Sequence, residues 1–243
     1  MPDVKFLVRD FFRSGSLQQF INKRFKDKDY VVLGKKNIHY VVMENGDMFY
    51  MSDDLNAINA VYEEYVFDDI RKDDIVIDIG ATIGDFSIPA SRMCDYVYAV
   101  EPITTEELRK NISLNKRDNI RVIEAALGSG DMEKIEWRDH EKTVKTMTLN
   151  EIKNQCCGGR CNFLKIDCEG EEWSIKPNEL KGIRRIEMEV HKIGNPKPFS
   201  EMENVLREAG FNYTVTVDQK RYTPDKIIHA RRGDSYSPQL RLG

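Results

Sequence analysis

Four side chains in the C-terminal half are of types that move protons: Asp167 and Glu169 in FLKIDCEGEEW, and Glu189 and His191 in IEMEVH. Strand alternation places Glu187, Glu189 and His191 on one face, while Asp167 and Glu169 follow directly on the apolar run FLKI. If both runs are parallel strands, the four groups meet at one rim. Carboxylates and an imidazole gathered there could take the proton from a hydroxyl, or hold a divalent cation that lowers its pKa. The bland alternative pairs Glu189 with Lys165, Arg184 or Arg185 and leaves His191 merely closing its strand. Convergence of four such groups at a ligand-binding rim favours the chemical reading.

A second constellation lies earlier, in DIVIDIGATIGDFSIPASRM, residues 74–93. Ile75, Val76, Ile77 and Ile79 suit a strand covered on both faces. It stops at Gly80, and a second glycine, Gly84, precedes an expected helix. Glycine permits positive φ and close approach of a ligand, and a helix N-terminus offers unpaired N–H groups with partial positive charge. A dinucleotide fingerprint would need a glycine where Thr82 stands, so a pyrophosphate has no room. The pattern is instead D-x-G-x-x-x-G, beginning at Asp78. Glu101 ends the next strand, YVYAVEP, 21 residues after Gly80, where a carboxylate can accept both hydroxyls of a ribose. Together these features indicate an adenosine-containing ligand without a pyrophosphate.

The elements that must position these groups follow from periodicity. From Asp73 onward strand and helix alternate, which predicts a doubly wound, mostly parallel α/β sheet. Helices are expected from Gly84, over TTEELRKNISLN, over EEWSIKPNEL and over FSEMENVLREAG. The last two strands, FNYTVTV and DKIIHARR, are too closely linked for a crossover, so that pair is antiparallel. EKIEWR and VKTMTL suggest a small extra hairpin at an edge, and the tail from Arg231 reads as loosely ordered. Residues 1–70 form an appendage in this reading and residues 71–243 the main domain. In the appendage Phe6, Leu7, Phe11, Phe12, Leu17, Phe20 and Ile21 recur at near-helical spacing. DYVVLG and NIHYVVMENGDMFYM read as strands, the latter turning at Asn45-Gly46, and 52–67 reads as a helix with Leu55, Ile58, Val61, Tyr62 and Tyr65 on one face.

Composition narrows the partners. The 243 residues carry 37 Lys and Arg against 41 Asp and Glu, a formal charge of -4, so no global positive field recruits nucleic acid. KRFKDKD and the arginines 231, 232 and 241 could make local contacts, although such runs are usually solvated faces. No run of about 18 apolar residues is present to span a bilayer, and charges interrupt the apolar positions of the N-terminus, unlike a secretory leader. An odd total of five cysteines fits reduced thiols and a cytoplasmic location. CCGGRC lacks the spacing and partner ligands of a zinc site, so its cysteines read as structural. Oligomeric state is open.

VIDIGATIGDFS, YAVEP, LRKNISLNKRDNIRVIEAALG, TMTLNEI, LKIDCEGEEW and IEMEVH, in that order, resemble the FkbM-like group of class I S-adenosylmethionine-dependent methyltransferases. The resemblance runs from about Asp73 to Arg231. It implies a seven-stranded Rossmann-like sheet with an antiparallel last strand. It also implies that Gly80, Gly84 and the backbone of Ala81 and Thr82 accommodate the methionine part of the cofactor. Asp78 would orient its amino group, directly or through water, and Glu101 would hold the ribose. Glu124 and Ala125 fall where relatives contact adenine; Glu124 is otherwise a solvent-exposed loop acid. The resemblance further implies O-methylation of a small-molecule acceptor, a sugar-like or secondary-metabolite hydroxyl; a divalent metal at the rim is left open and is not predicted. Two rivals stand beside it. A tRNA or other RNA base methyltransferase would more often carry N-P-P-Y or D-P-P where this chain has DCEG, and a non-catalytic S-adenosylmethionine-binding module would keep the glycines without the chemistry.

Overall fold

The computed structural model describes residues 30–35, 38–43, 45–51, 65–137, 140–192, 197–217 and 226–233. The expected helix over 6–21, nearly all of that over 52–67, the basic run KRFKDKD and the tail beyond Gly233 lie outside these residues. The expected N-terminal strands are present as an antiparallel meander: β1 (Tyr30–Lys35), β2 (Ile38–Met43) and β3 (Met48–Met51). Gly46 adopts φ +85° in the turn between β2 and β3, as the Asn-Gly pair predicts.

Seven strands form the main sheet: β4 (Ile75–Ile79), β5 (Tyr96–Val100), β6 (Ile120–Ile123), β10 (Phe163–Ile166), β11 (Arg185–Val190), β12 (Asn212–Val217) and β13 (Lys226–Arg231). Their order is β12-β13-β11-β10-β4-β5-β6, and β13 runs antiparallel to both its neighbours. The expected doubly wound sheet with an antiparallel last strand is therefore observed. The chain steps outward from β4 to β5 and β6, then returns to lay β10 on the other side of β4. A crevice opens at such a reversal, beyond the carboxyl ends of β4 and β10. The extra hairpin, β8 (Met132–Trp137) with β9 (His140–Met147), joins β7 (Ala126–Leu127) in a separate small sheet and does not extend the main one.

Among the described residues four helices complete the frame: α1 (Ser87–Ala90), α2 (Thr105–Leu114), α3 (Leu149–Gln155) and α4 (Phe199–Glu208). Two expected helices are cut short for local reasons. The one expected from Gly84 is the single turn α1, because Gly84 sits at φ +92° and Pro89 has no N–H to continue the ladder. EEWSIKPNEL breaks into two 3-10 turns, Glu171–Ser174 and Pro177–Leu180, because Pro177 forces Lys176 into an extended conformation.

Alternation along β4 and β10 divides the core between the two faces of the sheet. Ile75, Ile77, Ile79, Leu164 and Ile166 pack on one face, and Val76 and Phe163 pack with Phe86, Ile88 and Leu108 on the other. Asp78 and Lys165 share that second face as directly paired neighbours in register.

The meander is fastened to the main sheet through α2. The fully buried Asn111 side chain accepts from Tyr50 N at 2.6 Å and donates to Tyr50 O at 3.1 Å and to Ile83 O at 2.9 Å. One amide thus links a strand edge, a helix and the loop after β4. Asn111→Ala should lower unfolding free energy by about 2 kcal/mol in urea titration, because the Ile83 carbonyl loses a buried partner while Tyr50 keeps access to water.

Candidate functional site

The loop after β4 is held from several sides. Gly80 N and Ala81 N both donate to Val100 O, at 3.0 and 3.1 Å, and Gly84 N donates to Ala81 O at 2.7 Å. Gly80 lies at φ +75°, and a Cβ there would fall 1.7 Å from the Asp167 carbonyl oxygen. Gly80 and Asp167 therefore lie close together just past the carboxyl ends of β4 and β10. Gly84 is required for a different reason: a Cβ would press on Leu108 at 3.0 Å and Ile88 at 3.1 Å. Thr82, a non-glycine residue at φ +49°, places its N–H on Glu101, and Ala81 is buried beneath it.

Glu101 is buried, and its carboxylate accepts three backbone N–H groups. Oε1 takes Ile103 and Thr104 at 2.7 and 2.9 Å, and Oε2 takes Thr82 at 2.9 Å. Burial raises its pKa, and these N–H groups act in the opposite direction. A carboxylate has about four lone-pair positions, and these contacts occupy most of them. The helix-terminus charge expected after Gly84 is corrected, since the single turn α1 sums few peptide dipoles.

Asp78 lies beneath the loop. Oδ2 accepts from Ser87 Oγ at 2.6 Å, and Oδ1 faces the Lys165 ammonium at 3.2 Å. Lys165 Nζ also donates to Gly80 O at 2.9 Å, stands 3.8 Å from Asp167 Oδ2 and lies over the Tyr65 ring. Asp85, fully buried nearby, has its pKa pushed up to about 7 by burial. Glu124 projects outward, with Lys142 Nζ at 2.7 Å and Arg109 at 3.9 Å holding its pKa down. The solvent-exposed alternative for Glu124 describes its surroundings, while the adjoining Ala125 is buried.

The four proton-moving groups do meet at the rim. His191 Nε2 lies 3.5 Å from Glu169 Oε2, 3.7 Å from Asp167 Oδ1 and 3.8 Å from Glu189 Oε1. Among the described residues Lys165 faces Asp78, Arg184 faces Asp74 and Arg185 faces Glu187, while Glu189 faces His191. Asp167 and Glu169 expose 25% and 59% of their side chains, whereas Glu189 and His191 expose 3% each. The outer pair reaches solvent, and the inner pair lies behind it. Asp167, Glu169 and His191 also bring three ligand atoms within 4.8 Å of one another, a set able to hold a divalent cation.

A residue absent from the sequence reading anchors this cluster. Glu172 is fully buried in the 3-10 turn, and its Oε1 accepts from His191 N at 2.6 Å and faces His191 Nδ1 at 3.3 Å. Its other oxygen accepts from Gly170 N at 2.9 Å. Spacing alone gave no signal for it, since IDCEGEEW holds several acids and only the turn selects which one points inward. Burial disfavours charge on His191, but Glu172, Asp167 and Glu169 outweigh it and raise its pKa to about 9. The expectation of an imidazole ready to accept a proton at neutrality is thereby corrected: at pH 7 His191 is an imidazolium, and the bases available are the exposed carboxylates.

Two outcomes follow from this geometry. Gly80→Ala should cost about 4 kcal/mol or more in urea unfolding, since the Asp167 backbone must move away. His191 is protonated more strongly when folded, so its contribution is complete below the unfolded value of 6.5 and is lost as pH rises through about 9. That contribution is on the order of 3 kcal/mol. Asp85, raised for its own reason, contributes a similar fall that ends near pH 7. Urea midpoints should therefore decline from pH 7 to 9.5 in the native protein and stay nearly level there in His191→Gln.

Comparison with known proteins bears on the fold and the family. Residues 78–213 match the family described as Methyltransferase FkbM domain. An uncharacterized RNA methyltransferase of Oceanobacillus iheyensis is 26% identical over 223 residues, covering 86% of this chain and 44% of that protein. The chain thus spans less than half of that relative. Trm5b of Pyrococcus abyssi superposes with a TM-score of 0.51 at 16% identity, over 88% of this chain and 67% of that one. Precorrin-6y C5,15-methyltransferase of Geobacter metallireducens superposes at 0.50 and 13% identity, over 73% and 88%. These likenesses establish the fold of S-adenosylmethionine-dependent methyltransferases. With more than half its length matched, the chain belongs to the FkbM methyltransferase domain family.

Proposed function

We propose that the crevice beyond β4 and β10 binds S-adenosylmethionine and that the chain transfers its methyl group to a hydroxyl of a small-molecule acceptor. The observation that carries this reading is the contact of two features: the Gly80–Gly84 loop and the Asp167 rim touch at the Gly80–Asp167 approach. In this reading Gly80, Ala81, Thr82 and Gly84 line the methionine end and Glu101 takes one ribose hydroxyl. Ala125 flanks the adenine, and Glu124 reaches its amine only by leaving Lys142. Asp78 acts through Ser87 and Lys165 as a positioning residue, and residues 71–243 carry the activity, with 1–70 as an appendage.

The chemistry is an in-line displacement. An oxygen lone pair of the acceptor attacks the methyl carbon, the carbon–sulfur bond breaks, and its electron pair stays on sulfur as a thioether. The hydroxyl proton passes to Asp167 or Glu169, the carboxylates that reach solvent. His191 and Glu189 act behind them as positioning residues: the imidazolium offsets the crowding of acids. The five cysteines, none of them in a disulfide, support a cytoplasmic setting.

A second reading is methylation of RNA. The name of the Oceanobacillus relative favours it, so the expectation drawn from the charge of -4, that nucleic acid is an unlikely partner, is not supported. Against it, DCEG replaces the proline-containing tetrapeptides expected of base methyltransferases.

Calorimetry and a methyl-label assay test both steps. S-adenosylmethionine should bind the native protein, and Glu101→Gln should weaken it about ten-fold, the loss of one charge-assisted hydrogen bond. Asp167→Asn should keep that affinity within a few-fold while turnover falls about 100-fold or more. Absence of binding at millimolar cofactor refutes the enzyme reading. Label from the cofactor should enter low-molecular-weight products of a cell extract; label released only by ribonuclease assigns the acceptor to RNA instead.

A further inference from the structure

Tyr65 reaches the candidate catalytic carboxylate from outside the part of the chain that matches the family. It precedes residues 78–213 and falls in the expected appendage of residues 1–70. Its hydroxyl donates to Asp167 Oδ2 at 3.2 Å, and Lys165 Nζ stands 5.5 Å from the centre of its ring. Among the described residues this is the one hydrogen bond to the Asp167 carboxylate. Lys165 and His191 face that carboxylate at 3.8 and 3.7 Å, beyond hydrogen-bond reach. Tyr65 is 4% exposed against 25% for the Asp167 side chain, so the tyrosine stands behind the carboxylate and not at the surface an acceptor meets.

Three successive residues fasten the segment that carries it. The Tyr65 ring stands edge-on to Phe86 with centroids 5.9 Å apart, and the Phe67 ring stacks on the same Phe86 at 4.7 Å. Between them Val66 N donates to Glu187 Oε2 at 3.2 Å. Glu187 is the register partner of Lys165, and Lys165 that of Asp78, so the segment lies on the sheet face that carries these buried charges. Two residues on, Arg184 donates to Asp69 O at 2.6 Å. The hydroxyl is thus delivered by a segment whose backbone and rings are already held.

Asp167 needs such a partner. Its backbone is set by Asp167 N on Ile79 O at 3.0 Å and by the approach of Gly80, so the freedom left to it lies in the side chain. A carboxylate turns about its Cβ–Cγ bond in a broad, two-fold well, and a donor on one oxygen narrows that rotation. Alignment matters for the reaction, because a misplacement of about 1 Å can cost about 100-fold in rate. We infer that Tyr65 is a positioning residue for methyl transfer: its hydroxyl orients the Asp167 carboxylate that receives the acceptor's proton. The assignment rests on the methyltransferase reading and deepens it, since the rim is then completed from outside the matched span. The plainer role of a buried tyrosine, a ring that packs and a hydroxyl that finds a partner, leaves turnover untouched once the protein has folded.

Tyr65→Phe keeps the ring on Phe86 and removes one hydroxyl. Its affinity for S-adenosylmethionine, by calorimetry, should stay within a few-fold of native, which also reports an intact fold. The extract fraction that takes up methyl label then serves as acceptor in a dilution series. The saturating rate should fall about ten-fold, while the half-saturating concentration stays within a few-fold. A double-mutant cycle separates action through Asp167 from an independent role. Tyr65→Phe should add nothing to Asp167→Asn, so the double variant falls about 100-fold, as Asp167→Asn does alone, whereas independent roles multiply to about 1000-fold. A native saturating rate in Tyr65→Phe, a multiplied loss in the double variant, or weakened cofactor binding in Tyr65→Phe overturns the inference. Failure of the native protein to bind cofactor strikes the methyltransferase reading instead.

Discussion

The buried ammonium of Lys165 is the constraint on which the site depends. It sits between the fully buried Asp78, the Gly80 carbonyl and Asp167, with Asp85 adding to the surrounding negative charge. Burial works against its charge, and these acids more than offset that penalty, so its pKa is raised. A buried ion pair of this kind adds little to net stability, because desolvation costs about as much as attraction returns. What it supplies here is position. β4 and β10 are tied at their carboxyl ends by a cation that also points the Gly80 carbonyl inward, leaving the loop's N–H groups to Val100 and Glu101.

Asp167 joins this lower cluster to the upper one. Its Oδ2 accepts from the Tyr65 hydroxyl at 3.2 Å and faces Lys165, while its Oδ1 faces His191. Two cations thus bracket one carboxylate from opposite sides. A carboxylate held between a buried lysine and His191 is oriented from two sides and only a quarter exposed. Glu172 completes the arrangement by holding the imidazolium through both its ring and its backbone.

Much of this was legible in the residues. The β-branched run before Gly80, the acid closing the second strand and the period-two acids of IEMEVH gave the strands, the loop and the rim. Pairings across strands were not legible. Lys165 and Asp78 lie 87 positions apart and meet only because β10 returns beside β4 in a register that matches them. Glu172 was hidden because Gly170 and Pro177 replace a helix with tight turns, and a helical reading aims that side chain elsewhere. The short α1 was missed for a related reason: the glycine that frees the loop also removes the first turn of the helix that alternation predicts.

Loop geometry explains why a small meander belongs in the account of a binding site. The segment 80–84 contains two glycines and a threonine at positive φ, which on its own would be among the most costly parts of the chain to order. It is held from inside by Lys165 on the Gly80 carbonyl, from the side by Glu101 on Thr82 N, and from outside by Asn111 on the Ile83 carbonyl. Asn111 is itself held by Tyr50 of β3. The ordering cost of this loop is met when the protein folds, so the crevice beside it is a preformed surface, and the meander takes part in that order through Tyr50, Asn111 and α2.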